Sequence, residues 1–278
     1  MKATLLQLNS GNDLVANVAA VRDMAARAVE RDAPNVVSMP ENAFMMPGSP
    51  QELFDAAMPE ASHPAVLAMR ELAADKGVWI HIGGVAVPSP TAPGKCANRT
   101  LLISAEGEVV ARYDKIHLYD ASPAGGESHR ESARFSPGRS AVAVDAPFGR
   151  VGLTICYDLR FPGLFRRLAR EGCAVIFAPA AFTAYTGRLH WEILLRARAV
   201  ETGCFIVAAA QTGAHPAGRH TFGHSMVVSP WGEIIETKEK DAGFLTVDMD
   251  LSETERYRAQ IPSLALEAEY DFALTDAR

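Results

Sequence analysis

Apolar positions fall into two periods along this chain. Over residues 12–32, Leu14, Val18, Val21, Ala25, Ala28 and Val29 recur at helical spacing behind Asn12 or Asp13 as a cap. "NVVSMPE" (35–41) then reads as a short strand running out into Pro40–Glu41, and "HPAVLAMRELAADKG" (63–77) as a second helix stopped by Gly77. "VWIHIGGVAVP", "NRTLLIS" and "VVARYDKIHL" follow as three strands with no helix between them. Beyond a polar loop at 122–140, "AVAVDAP" and "RVGLTIC" predict a hairpin turning at Phe148–Gly149. "FPGLFRRLAREG" is a helix, "AVIFAPAA" a strand and "HWEILLRARAVETG" a helix. "CFIVAAAQ", "SMVVSP" and "GFLTVDMD" are strands, and "LSETERYRAQ" is a helix ended by Pro262.

Strand–helix–strand units mixed with helix-free strand pairs do not describe a purely parallel doubly wound sheet. Strands as apolar as "AVIFAPAA" need cover on both faces, so the pattern predicts two mixed sheets packed face to face with helices outside. No composition break marks a linker, and residues 1–278 read as a single α/β domain. The loop at 122–140 is long for a compact domain, and ordered loops of that kind are often lids or binding loops.

Composition narrows the function classes. The 278 residues carry a net charge of −6, and Lys and Arg form no long run, which argues against nucleic acid or an anionic membrane as partner. The longest apolar stretches are too short to span a bilayer, and the N-terminal apolar stretch is too short for a signal peptide. Cys96, Cys156, Cys173 and Cys204 form no CxxC pair, which suits a reducing compartment, and the expected location is the cytoplasm.

Three positions are candidates for chemistry. Cys156 ends the apolar run Val151–Ile155 and precedes Pro162, which fits the first turn of a helix. A cysteine there is either core or a nucleophile on a strand-to-helix turn, whose N–H groups can lower a thiol pKa and hold an oxyanion. Cys173 and Cys204, just past helix ends, read as structural. The base is a histidine or a carboxylate. None of the eight histidines stands in a context that singles it out, and His215, His220 and His224 lack the accompanying ligands of a zinc site, so no metal is expected. Glu41 leaves an apolar strand at its carboxyl end, where α/β folds gather ligands. It is a solvated loop residue or a buried acid with a raised pKa. Lys115 lies within a strand pattern, and its bland reading is an edge strand with the ammonium in water.

Taken together, "MPENAF", "YDKIHLYD" and "GLTICYDLRFP", in that order, resemble the three catalytic signatures of the nitrilase superfamily of carbon–nitrogen hydrolases. The likeness extends through "ANRTLLISAEGEVVARYDKIHL", "HWEILLRARAVETGCFIVAAAQTG" and "GHSMVVSPWGE" to the closing "IPS". The resemblance implies an αββα sandwich, homodimers or larger homo-oligomers, and no cofactor. It implies a cysteine-dependent amidase acting on a small-molecule amide, with Glu41 as general base, Lys115 as electrophilic stabiliser, Cys156 as nucleophile and Glu131 as the second glutamate beside the lysine. Lys115 and the backbone N–H of Tyr157 would stabilise the oxyanion, and the acyl group would pass through a thioester.

Within the superfamily the chain is most similar to the branch hydrolysing deaminated glutathione, with omega-amidase, which acts on α-keto acid amides, beside it. It departs from that branch at Tyr185 and Arg188. Tyr157, Arg160, Phe182 and Arg188 are the expected substrate contacts, the two arginines as grips on a carboxylate, with a salt bridge from Arg160 to Asp158 as the alternative. Nitrilase, N-carbamoyl amidohydrolase and an idle, partner-binding scaffold are the competing functions.

Overall fold

The computed structural model describes residues 1–124 and 126–275. Two six-stranded sheets pack face to face. The first runs β16–β1–β2–β3–β4–β5, with β1 at Lys2–Gln7, β2 at Val36–Ser38, β3 at Trp79–Pro88, β4 at Cys96–Ile103, β5 at Val109–Asp114 and β16 at Gly243–Asp248. The second runs β15–β14–β11–β10–β9–β8, with β8 at Val142–Ala146, β9 at Gly149–Leu153, β10 at Val175–Phe177, β11 at Phe205–Ala208, β14 at Ser225–Val228 and β15 at Ile234–Lys238. Two short ribbons stand apart: β6 (Asp120–Ala121) with β7 (His129–Arg130), and β12 (Thr212–Ala214) with β13 (His220–Phe222). Each large sheet has three parallel strands at its centre and antiparallel strands around them. Both sheets are therefore mixed, as the strand spacing predicts.

Strand periodicity sorts side chains between the layers. In β1 and β2, Leu5 and Val36 join the core between the sheets with Leu153, Phe177, Val207 and Val227. Their neighbours Leu6 and Val37 face outward against α1 (Leu14–Asp32) and α3 (Pro64–Lys76). The second sheet is covered by α4 (Pro162–Arg170) and α5 (Ala184–Thr202), through Phe165, Leu168, Trp191 and Leu195. The layer order is helix, sheet, sheet, helix. Asp13 caps α1 by accepting the Ala16 N–H at 3.0 Å, and Gly77 ends α3 at φ 61°.

Some elements differ from the sequence expectation. Helix α2 (Pro50–Ala56), β1, β15 and the final form of the 122–140 loop carry no strong periodic signal. The helix expected from His190 begins at Ala184. It includes Gly187, where a Cβ would stand 2.3 Å from the Phe222 Cβ, so this turn of helix depends on a glycine packed against β13. The strand expected through Lys115 ends at Asp114. The backbone of Lys115 then takes other partners, donating to Asn98 O at 2.9 Å and accepting from the Gly138 N–H at 2.8 Å.

Candidate active site

Glu41 and Cys156 leave the carboxyl ends of central parallel strands, β2 and β9, one in each sheet. Lys115 follows β5 directly, and Glu131 opens a 3-10 turn inside the long loop. Sheet-on-sheet packing thus brings four residues distant in sequence to one end of the sandwich, where they line a common cavity of about 150 Å3. The Lys115 ammonium lies 2.9 Å from Glu41 Oε1 and 2.9 Å from Glu131 Oε2. Glu41 also accepts from Asn98 Nδ2 at 2.8 Å and, through its other oxygen, from the Ala181 N–H at 3.0 Å. Glu131 is held by the Tyr119 N–H at 2.6 Å. The Cys156 thiol lies beside the Glu41 carboxylate, close to the Ala181 N–H.

Local backbone makes this convergence possible. Strand β3 bulges between Ile82 and Val85, at Gly83 and Gly84. A Cβ on Gly83 would lie 2.1 Å from Met39 O, and one on Gly84 would lie 2.8 Å from Asn98 Oδ1 and 3.3 Å from Glu41 Cγ. Only glycine lets β3 pass so close beneath the Glu41 segment. Cys156 itself sits at φ 46°, in the left-handed region, a strain of order 1–3 kcal/mol for a residue with a side chain. Its N–H donates to Pro179 O at 2.8 Å. The turn is clamped by the fully buried Asp158, whose carboxylate accepts from Ile155 N–H at 2.9 Å, His117 N–H at 3.1 Å and the Tyr113 hydroxyl at 2.6 Å. Pro162 starts α4 as expected, but a 3-10 turn over Cys156–Arg160 intervenes. Among the described residues no acceptor takes the Tyr157 N–H, which leaves that donor available beside the thiol.

The electrostatics correct two expectations. Burial pushes the Glu41 carboxyl up, but the Lys115 charge and the hydrogen bonds from Lys115, Cys156 and Ala181 outweigh it, and its pKa falls below the ordinary carboxylate value. Burial pushes the Cys156 thiol up, and the Glu41 charge adds to that more than Lys115 takes away, so its pKa is raised rather than lowered. Burial lowers Lys115, yet Glu131 and then Glu41 hold it well above the usual lysine value. The resting site is thus a neutral thiol beside a carboxylate, an ammonium and a second glutamate that shares the ammonium.

These directions fix a pH dependence for stability. The depressed Glu41 stabilises the fold above the unfolded carboxyl value of about 4.3, and this is lost as pH falls through the folded value. The raised Lys115 contributes fully below about 10.4, and this is lost as pH rises through its folded value. Thermal denaturation is therefore expected to show a melting temperature that declines below about pH 4.3. In Glu41→Gln the acid decline should be shallower. An unchanged decline in that variant would show that Glu41 does not carry it.

The expected substrate contacts are placed differently. Tyr157, Arg160, Phe182 and Arg188 are not among the side chains lining the cavity. Arg160 reaches His190 Nδ1 at 3.3 Å and lies over the rings of Tyr157 and Phe182. It makes no bridge to Asp158, whose oxygens are already occupied. Phe182 is buried against Trp191, and Arg188 is exposed on α5. The cavity wall instead carries Tyr119, Glu127, His129, Arg134 and Arg219. Asn98 and Tyr119 stand inside the quoted motifs, but nothing local in the sequence marks them, Ala181 or the other wall residues as facing the cavity. Arg134 lies three positions after Glu131 in "HRESARFSPG", and Arg219 lies in the Gly-rich "GAHPAGRHTFGHS". Of the three histidines weighed as zinc ligands, His215 bonds Ser10 O and Thr221, His220 bonds Gly218 O, and His224 bonds Phe222 O.

Comparison with known proteins identifies the family. A family model described as carbon-nitrogen hydrolase matches residues 2–259. A protein of Yersinia enterocolitica named deaminated glutathione amidase is 40% identical over 261 residues, covering 94% of this chain and 90% of its own. The crystal structure of Saccharomyces cerevisiae Nit3, a member of branch 10 of the nitrilase superfamily, superposes with a TM-score of 0.84 at 27% identity, covering 94% of each chain. An amidase from Nesterenkonia sp. AN1, solved as a variant with acrylamide added at its active-site cysteine, gives a TM-score of 0.77 at 28% identity, covering 96% of this chain and 100% of its own. The two mixed sheets with their outer helices are the αββα sandwich of these proteins, and the chain belongs to the carbon–nitrogen hydrolase family of the nitrilase superfamily.

Proposed function

We propose that this carbon–nitrogen hydrolase cleaves the amide bond of deaminated glutathione through a thioester on Cys156. The observation that carries the reading is the placement of Cys156, Glu41 and Lys115 in one buried cavity, together with the 40% identity to the Yersinia relative of that name. A neutral thiol next to a carboxylate of depressed pKa does not ionise on its own. The proton passes to Glu41 as sulfur attacks the amide carbonyl, so that negative charge develops on the carbonyl oxygen rather than on sulfur. Lys115 and the Tyr157 N–H stabilise that oxyanion. Glu41 then gives the proton to the departing amine, and the thioester remains. A water deprotonated by Glu41 attacks the thioester, the C–S bond breaks, and Glu41 returns the proton to the Cys156 sulfur as the acid leaves. Glu131 holds the Lys115 ammonium in place throughout, bonding it with both oxygens at 3.1 and 2.9 Å.

The cavity of about 150 Å3 is small for a ligand pocket. That suits an intermediate in which only a short acyl group stays on the enzyme. A panel of deaminated glutathione, an α-keto acid amide, a ureido acid and an aliphatic nitrile tests the substrate. Deaminated glutathione is expected to give the highest kcat/KM; a nitrile or ureido acid at the top would overturn the reading. The unpaired cysteines suit a cytoplasmic, reducing setting, which the free Cys156 thiol requires.

A homo-oligomer is also part of this reading. On α5, Leu189 and Ile193 are 47% and 68% exposed, and Tyr270, Phe272 and Leu274 of the C-terminal segment stand open to solvent. Burial of such side chains against a second copy is expected. Light scattering should give at least twice the 29.9 kDa of one chain, and a monomer mass at working concentration would refute it.

A further inference from the structure

The lining of the cavity holds two guanidinium groups that no carboxylate among the described residues contacts directly. Arg134 and Arg219 both line it, and both are half-buried. Among the described residues neither guanidinium forms an ion pair, and the polar contact of Arg219 is with the Met46 sulfur at 3.8 Å. The chain treats comparable arginines otherwise. Arg99, also partly buried, takes Asp114 through two hydrogen bonds of 2.7 and 3.0 Å and reaches Glu60 at 3.2 Å. After burial, the largest influence on Arg219 is repulsion from Arg134, and the attraction of Glu127 comes behind it. Glu127 is engaged on the wall itself, accepting from the His220 N–H at 3.3 Å and lying 3.3 Å from His129 Nε2.

His129 adds an independent observation. Its Nε2 is buried and makes no hydrogen bond of adequate geometry, although the Glu127 oxygen is near. The ring lines the same cavity, and its pKa is lowered by burial and then by the Arg219 charge, so it stands neutral beside the arginines. Two like charges and an unsatisfied ring nitrogen on one wall cost stability while the wall is bare. An anion would relieve both costs.

We propose that Arg134 and Arg219, with His129 beside them, form a carboxylate subsite that holds the acid group of the substrate remote from the scissile amide. The proposal deepens the amidase reading and rests on it for the location of the scissile bond. Planar guanidinium forks match a carboxylate in two-point hydrogen bonds. Such a subsite selects acids over neutral amides, because a neutral group would leave the buried charges unpaired. It replaces Arg160 and Arg188, which the sequence suggested for this task, with two arginines that face the cavity.

The test is protection of Cys156 from iodoacetamide, followed by mass spectrometry of the Cys156 peptide, with each variant normalised to its own unprotected rate. Glutarate supplies carboxylates, and 1,5-pentanediol is a neutral probe of similar length. Glutarate should protect the parent enzyme and pentanediol should not. In Arg134→Gln and in Arg219→Gln the half-protecting glutarate concentration should rise about tenfold or more, the loss of one charge-assisted contact. Arg219→Lys, which keeps charge but not the fork, should fall between. Equal protection by the two probes, or glutarate protection undiminished in both glutamine variants, would overturn the subsite. Arginine-dependent protection in an enzyme that fails to hydrolyse deaminated glutathione would remove that substrate and leave the subsite standing.

Discussion

Cys156→Ala is expected to fold like the parent and to lose turnover by roughly 10⁵–10⁶-fold, the scale seen when a nucleophile is removed from a catalytic unit. The side chain is 9% exposed and small, so its truncation leaves only a minor void. The left-handed backbone at φ 46° is imposed by surroundings that the substitution does not touch: the Cys156 N–H to Pro179 O and the Asp158 clamp on Ile155. What is lost is the attacking sulfur. The other thiols cannot stand in for it, since Cys96, Cys173 and Cys204 are buried away from the cavity lining, and burial pushes Cys173 up to about 12. Steady-state kinetics and a melting curve on the purified variant check both halves. Activity within tenfold of the parent would remove Cys156 from the mechanism.

The second large effect concerns the carboxylate–ammonium pair. Glu41→Gln keeps the shape of the side chain and removes the base, and a loss of roughly 10³–10⁴-fold in kcat/KM is expected. Lys115→Met removes the charge facing the oxyanion, and a similar loss is expected. The two variants should differ sharply in stability. With Glu41 neutral, Lys115 still has Glu131 at 2.9 Å and remains paired. With Lys115 gone, the carboxylates of Glu41 and Glu131 face each other around a buried gap, at a cost of about 3–5 kcal/mol. One of them will take up a proton to relieve it. The double variant should lose little more activity than the worse single one, because base and oxyanion support serve one transition state. Losses that multiply in the double variant would mean that the two groups act at separate steps.

Much of this was legible in the sequence, and the reasons are specific. Glu41, Lys115 and Cys156 each end or follow an apolar strand, so a local pattern marks the point where a strand delivers a residue to one end of the sandwich. The order of the three motifs also resembles a known family. The hairpin at Phe148–Gly149 and the helix stop at Gly77 were readable because turn chemistry is local. The wall of the cavity was not. Arg134 and Arg219 are 85 positions apart (219 − 134) in polar loops, and only the fold brings both loops to one cavity. Arg160 and Arg188 lay closer to the nucleophile or to a helix facing it in sequence terms. The first is turned toward His190 and two aromatic rings, and the second points to solvent. The thiol pKa was misjudged for a related reason. A turn N–H is a local feature that sequence suggests, whereas burial and a carboxylate from the opposite sheet are not.

The most direct test of the account is to catch the acyl group on the enzyme. Enzyme mixed with deaminated glutathione should be quenched in acid within one turnover and examined by intact-protein and peptide mass spectrometry. The account predicts an added oxo-acyl mass located on the Cys156 peptide, released by neutral hydroxylamine and absent in Cys156→Ala. Product formed with no adduct at any quench time, or an adduct on another residue, would contradict it.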